Sequence, residues 1–343
     1  MANSNIAKIL TEYNEKRNRE ISDAIVRKND IYLKCPRLQE IDDEIASVSI
    51  KVSIMLMENG ETRNVNSRSL KKRLDALEKE KKEVLKENNY KVSDLEPKYE
   101  CKYCKDTGYI GEGINRELCN CVNQRLINLE FNNTNIFDLK NQTFDNFNFD
   151  LYSDEVDVKK YKSKLSPKEN AKELVEIAKR FVENFDDPSS ENLLFSGNTG
   201  LGKTFLSSCI ANEVLKLNKS VLYQTAPIML DRLIDLKFGR DSDVDEFYNK
   251  IYNVDLLIID DLGTEAMNNY KMSELFNIIN SRLLNSENII KKTIISTNLS
   301  LQNLYTNYDE RIVSRIVGYY NLCNFYGDDI RFKKKMNNKK SNK

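Results

Sequence analysis

The sequence predicts an α/β protein: a parallel sheet flanked by helices, preceded by an α-helical hairpin and a small cysteine-bearing module. Three observations predict it. The stretch Gly197-Asn198-Thr199-Gly200-Leu201-Gly202-Lys203-Thr204 reads G-x-x-x-x-G-K-[ST], between the apolar run Asn192–Ser196 and a helical stretch from Phe205 to Ala211. Apolar runs and helical patterns then alternate to about residue 300. Upstream, Cys101, Cys104, Cys119 and Cys121 fall in two close pairs.

A strand, a Gly-rich loop and a helix in this order form a phosphate-binding loop. Backbone N–H groups and the helix N-terminus converge on phosphate oxygens. Lys203 is expected on the β- and γ-phosphates of a nucleotide, and the Thr204 hydroxyl on Mg2+. A chance Gly-rich turn is the competing reading, and the flanks argue against it in a chain with only 11 glycines.

The elements after the loop supply the rest of such a site. Ser220–Tyr223 is expected as a strand and Ile228–Leu236 as a helix. The apolar run Asp255–Asp261 then ends in two carboxylates. Asp260 is expected in the Mg2+ shell, and Asp261 where an attacking water lies. A helix over Ser273–Ser286 precedes the strand Lys292–Asn298, whose Asn298 is placed beside the γ-phosphate. In the helical segment Asp309–Arg315, Arg311 and Arg315 lie four residues apart on one face. They fit either ordinary surface cations or an arginine finger for a neighbouring subunit.

Composition sets limits. The 343 residues hold 53 basic and 53 acidic side chains, so the chain is not a polycation made to coat nucleic acid. The tail Arg331–Lys343 is Lys-rich and is expected to be a disordered end. No apolar run approaches the roughly 18 residues of a membrane span, so a cytoplasmic protein with reduced thiols is expected. No histidine is present, which excludes His general bases and His metal ligands.

The N-terminal part has a different pattern. Residues 1–95 read as a helical adaptor. Leu38, Ile41, Ile45, Val48, Val52 and Met55 form one apolar stripe. After a break at Asn59-Gly60 and a candidate cap at Ser67, Leu70, Leu74, Leu77 and Val84 form another, interrupted by Lys81. Two such helices on a short loop form an antiparallel hairpin, with some of its surface available for docking. In 96–130 the pattern C-x2-C, about fourteen residues, C-x-C brackets a Gly-containing hairpin and suits structural, tetrahedral Zn2+. An iron–sulfur cluster and unliganded thiols are the competing readings. Cys35, Cys209 and Cys323 read as packing residues. Residues 131–165, rich in Asn, Asp and Phe, read as a linker, with Phe144, Phe147 and Phe149 pinned on the domain that follows. That domain is expected over 166–335, and 336–343 is the basic end.

The phosphate loop G-N-T-G-L-G-K-T, the strand L-L-I-I-D-D-L-G-T-E, the tip I-I-S-T-N-L and the segment E-R-I-V-S-R-I resemble the bacterial helicase loaders of the DnaC/DnaI type. These are AAA+ ATPases, related to the transposition helpers of the IstB group. The resemblance covers roughly 140–335 well, the cysteine segment moderately, and the first 95 residues only in architecture. It implies an AAA+ P-loop fold, with the nucleotide on Gly197, Asn198, Thr199, Gly200, Leu201, Gly202, Lys203 and Thr204. It makes Asp260 the Walker B aspartate and Asn298 sensor 1. Arg315 fits the arginine finger better than Arg311, and Arg331 fits the sensor 2 arginine that contacts nucleotide in cis. Asp261 stands where many relatives carry a catalytic glutamate, which implies slow hydrolysis. The DnaI type usually has a histidine among its zinc ligands, so a metal site here is all-cysteine.

The resemblance further implies ATP, Mg2+ and Zn2+ as cofactors and self-assembly through the AAA+ domain. Its expected partners are the replicative helicase, gripped by the adaptor, and single-stranded DNA. Lys237, Phe238, Arg240 and Tyr270 are candidates for the DNA, with an ordinary exposed loop as the competing reading. The leading expectation is an ATPase that loads the helicase at replication initiation. The alternatives are the ATPase helper of a transposase, acting on duplex DNA, and a nucleotide-sensing adaptor with negligible hydrolysis.

Overall fold

A computed structural model describes residues 2–57, 63–130, 141–239, 244–284 and 290–331. Two compact units make up the chain, Met1–Cys119 and Asn120–Lys343. The boundary falls inside the cysteine module, between its last two cysteines.

The first unit opens with three helices, α1 (Ala2–Lys34), α2 (Pro36–Met57) and α3 (Arg63–Glu87). α2 and α3 form the expected hairpin. Arg37 pairs with Glu80, Asp42 with Lys81 and Glu44 with Arg73, a sequence of contacts that fixes them antiparallel. Leu38, Ile41 and Leu77 of the apolar stripes are buried. The break expected at Asn59-Gly60 lies outside the described residues; α3 already begins at Arg63, ahead of Ser67. Lys81, the interruption in the second stripe, faces Asp42 at 2.6 Å. Beyond the helices, β1 (Tyr109–Ile110) and β2 (Glu117–Leu118) form the antiparallel hairpin expected between the cysteine pairs.

The second unit starts with α4 (Asn120–Glu130), a helix that the sequence pattern did not single out. It lies against an edge of the sheet. Gln124 receives the Val221 N–H at 2.7 Å and donates to the Val221 carbonyl at 2.8 Å, so its carboxamide substitutes for a neighbouring strand. The stretch read as a linker contains short 3-10 turns at Phe144–Asn146 and Phe149–Leu151, then α5 (Val158–Tyr161). It does more than connect: Phe147 and Tyr152 are buried in the core beside the sheet.

α6 (Pro167–Glu183) begins with a capping box between Ser166 and Glu169. The sheet follows, with β3 (Asn192–Ser196), α7 (Lys203–Lys216), β4 (Val221–Thr225), α8 (Ala226–Phe238), α9 (Val244–Asn253) and β5 (Leu256–Leu262). The chain continues through α10 (Asn269–Leu284), β6 (Lys292–Thr297), α11 (Leu301–Asn307), α12 (Glu310–Tyr319) and β7 (Tyr320–Asn324). The sheet order is β4-β5-β6-β3-β7, and every pairing is parallel. β3 therefore lies inside the sheet, buried on both faces.

Two apolar clusters divide by the strand alternation. Leu194, Leu222, Leu257, Ile259 and Ile295 face α8, α9, α10 and α12. Leu193, Phe195, Tyr223, Ile258 and Ile294 face α6 and α7. This is the predicted sheet with helices on both faces, and it presents the C-terminal ends of β3, β5 and β6 along one rim.

Candidate nucleotide site

The loop after β3 returns tightly enough that a side chain at its glycines would collide with neighbours. Gly202 has φ 96°, and a Cβ there would meet the Tyr152 hydroxyl at 2.6 Å. Gly200 has φ 78°, and a Cβ there would strike the Asp329 carboxylate. These contacts follow from packing the loop under 147–152 on one side and 329–331 on the other. The Tyr152 hydroxyl donates to the Leu201 carbonyl at 2.9 Å, and the Ile330 N–H to the Gly200 carbonyl at 2.9 Å.

Lys203 begins α7 and is buried. Its Nζ donates to the Gly197 carbonyl at 2.6 Å, the Asn198 carbonyl at 2.8 Å and Asn298 Oδ1 at 2.7 Å. The predicted lysine and the predicted β6 tip therefore meet. Burial lowers the Lys203 pKa, partly opposed by Asp261 and Asp260.

Asp260, at the end of β5, is buried and strongly hydrogen-bonded. Its Oδ2 accepts from Tyr223 at 2.6 Å and from Thr204 at 3.2 Å. Its Oδ1 accepts from the Ser296 hydroxyl and from the Asp261 N–H at 3.1 Å. The Thr204–Asp260 contact joins the two side chains expected around Mg2+. Tyr223 and Ser296 were not anticipated. They lie on neighbouring strands, opposite the end of β5, and strand pairing is the signal that could have found them.

Asp261 turns the other way, into the cavity. Burial and the neighbouring Asp260 raise its pKa, while Lys203 and Arg331 oppose the rise. The cavity has a volume of about 610 Å3, within the usual range for a small-molecule site. Thr199 to Phe205, Asp261, Asn298 and Arg331 line one part of it, and Gln142, Phe147, Leu151 and Tyr152 line another. The second group comes from the stretch read as a linker. Its only sequence signal was the cluster of aromatic residues ahead of α6.

The remaining predicted residues divide clearly. Arg311 pairs with Asp309 and lies over the Phe276 ring, 4.9 Å from its centroid. Arg315 does not line the cavity and makes no hydrogen bond or ion pair among the described residues. Phe238 and Tyr270 are exposed and meet edge to face at 5.0 Å. Lys237 is taken up by the buried Glu274, while Arg240 lies outside the described residues.

The sulfur atoms of Cys101, Cys104, Cys119 and Cys121 all lie within 4.8 Å of one another. Cys101 and Cys119 Sγ are 3.8 Å apart. Zn–S bonds of about 2.3 Å in a tetrahedron require S–S edges of about 3.8 Å, so the four residues fit the ion. The turn that presents them is held by Asp106, whose carboxylate accepts the Glu100 and Cys101 N–H groups at 2.9 and 2.8 Å. No helix among the described residues is long and apolar enough to cross a membrane.

The chain is similar to known proteins over part of its length. A family profile described as the bacterial DnaA ATPase domain matches residues 167–319. The replicative helicase loader DnaC of Escherichia coli K12 is 29% identical over 139 residues, 40% of this chain and 55% of that protein. The chromosomal replication initiator protein DnaA of Mycoplasma genitalium is 30% identical over 149 residues, 43% of this chain and 33% of that protein. The chain thus spans about half the length of the curated loaders it matches. Among solved structures, a crystal structure of the DnaC helicase loader aligns with 52% of this chain and 96% of its own, at 24% identity and a TM-score of 0.43. In its motifs and over residues 167–319 the chain is similar to the bacterial DnaA ATPase domain and to replicative helicase loaders named DnaC.

Proposed function

We propose that this chain is an ATP-dependent loader that binds a replicative helicase and places it on single-stranded DNA. The observation that carries the reading is the meeting of Lys203, Asp261, Asn298 and Arg331 around one cavity, with Thr204 joined to Asp260 beside it. Lys203 holds the β- and γ-phosphates, Thr204 and Asp260 hold Mg2+, and Asp261 with Asn298 orients the attacking water. Arg331 contacts the nucleotide from its own subunit. Arg315, outside the cavity, reaches a neighbour's nucleotide when AAA+ domains assemble. ATP binding then drives assembly and hydrolysis drives release. Turnover is slow because Asp261 is a short acid, and it rises on DNA, which favours the assembled state.

The helical adaptor of 1–95 grips the helicase, and the relatives named as replicative helicase loaders support that partner. The four cysteines hold a structural zinc ion, whose thiolate shell leaves no place for substrate. On the ATPase domain, Phe238 and Tyr270 offer two exposed rings on which bases stack. The protein works in the cytoplasm.

The test is gel filtration of the full chain with the host replicative helicase and ATP, with metal determined on the same fractions. Co-elution with about one zinc ion per chain is the expected result, and Lys203→Ala is expected to weaken the ATP-dependent part of the association. A zinc-loaded chain that ignores the helicase with ATP present would sink the loader reading. ATP hydrolysis stimulated by a transposase on duplex DNA would then favour the transposition helper.

A further inference from the structure

We propose that Gln142 reads the six-position of the purine base, accepting a hydrogen bond from the adenine amino group and so selecting ATP. The inference rests on the ATP-site reading above and deepens it. Around the cavity the charged side chains Lys203, Asp261 and Arg331 gather at the strand tips, the phosphate loop and the segment after β7. They suit phosphate and Mg2+. The stretch 142–152 supplies apolar surface instead, through Phe147, Leu151 and Tyr152, with Phe205 beside them. Phe147 and Tyr152 lie nearly parallel, 5.9 Å apart at 7°, and Phe205 meets Phe147 edge to face at 5.7 Å. An aromatic, flat wall of this kind suits a base and not a phosphate.

Gln142 also lines this cavity, and its Oε1 is buried without a hydrogen-bond partner among the described residues. A buried carbonyl oxygen left unpaired is costly, and a donor from a ligand removes that cost. Adenine presents an N–H donor at its six-position, whereas guanine presents an oxygen there, which would face Oε1 acceptor to acceptor. Asn146 and Asn148 also line the cavity, and each is held by a local bond, from Asn146 Nδ2 to the Asn141 carbonyl and from the Asp150 N–H to Asn148 Oδ1. Of the three amides, Gln142 alone has a buried oxygen without a partner among the described residues. Gln142 is therefore the acceptor assigned to the base.

The experiment compares two ligands on the full chain by equilibrium binding: ATP and purine riboside triphosphate, which lacks only the six-amino group. Wild type is expected to bind ATP about tenfold more tightly. Gln142→Leu is expected to bring that ratio to about one while keeping wild-type affinity for purine riboside triphosphate, which shows that the variant is folded. Should Gln142→Leu bind neither, Gln142→Glu, which keeps the acceptor and loses the amide donor, is expected to retain the preference for ATP. Equal wild-type affinities, or a ratio untouched by Gln142→Leu or lost in Gln142→Glu, would overturn the proposal and leave the ATP site standing. Failure of wild type to bind either triphosphate would overturn the ATP site itself.

Discussion

Asp261 has φ 55°, a left-handed backbone that a short polar residue tolerates better than most. Its N–H donates to Asp260 Oδ1 and to the Ser296 hydroxyl, each at 3.1 Å. The turn separates two adjacent carboxylates: Asp260 points back under Thr204 and Asp261 points into the cavity. Burial, with Asp260 next to it, pushes the Asp261 pKa up. Two results follow. If Asp261 accepts the proton of the attacking water, hydrolysis falls on acidification at a pH above the ordinary carboxylate range. Asp261→Asn is then expected to lower kcat by about 10²–10⁴-fold and to leave ATP affinity nearly unchanged, read from steady-state kinetics and equilibrium binding. The stability effect has the opposite sign. A carboxyl raised in the folded state is penalised once ionised, so the penalty is full at neutral pH and absent below the unfolded pKa. Asp261→Asn is expected to raise the melting temperature at pH 7, with the difference closing in acid.

At the scale of elements, the helical unit shows what an apolar stripe reveals and what it hides. The stripes of α2 and α3 were legible because helical spacing alone decides which side chains face a partner. Lys81 was read only as an interruption, because its partner is far away in sequence. Asp42 receives Lys81 at 2.6 Å, Lys28 at 3.2 Å and the Tyr32 hydroxyl, so one carboxylate ties α1, α2 and α3 together. Burial alone would raise the Asp42 pKa, but the bonds from Lys81, Tyr32 and Lys28 lower it on balance. A lowered carboxylate stabilises above its unfolded pKa and loses that effect as pH falls through the folded value. Asp42→Asn is expected to cost about 1–3 kcal/mol at pH 7 and less once the pH falls through the lowered folded pKa of Asp42. Hydrogen exchange of α1 to α3 in the full chain reads this locally, and equal protection in both proteins at pH 7 would refute it. The pinning of Phe147 was legible in the sequence, but the place of 142–152 in the cavity wall was not, for a related reason. That place depends on a cavity whose other wall lies beyond residue 198, and local periodicity carries no record of that. Likewise the strand segments were visible, but not the order β4-β5-β6-β3-β7.

At the scale of the whole molecule, Arg315 is the residue on which the proposed assembly can be tested. Within one chain, Lys203, Asp261, Asn298 and Arg331 share the cavity and Arg315 does not. It stands on α12, whose N-cap Asp309 follows Tyr308, and the Tyr308 hydroxyl bonds Glu265 in the segment after β5. The same Glu265 accepts the Gly263 N–H at 2.9 Å, so the strand bearing Asp260 and Asp261 is linked to the helix bearing Arg315. If Arg315 completes a neighbour's site, Arg315→Ala should retain ATP binding and lose about 10³-fold or more in assembled turnover. That loss alone does not separate an arm reaching across an interface from one acting at home. Mixing separates them. Lys203→Ala lacks a working nucleotide site but keeps its arginine; Arg315→Ala keeps the site but lacks the arginine. In a head-to-tail assembly formed at random from equal amounts, about a quarter of the interfaces place an intact site against an intact arginine. The mixture is therefore expected to recover about a quarter of wild-type turnover, although each protein alone is inactive. No recovery in a mixture shown to co-assemble would place the action of Arg315 within its own chain.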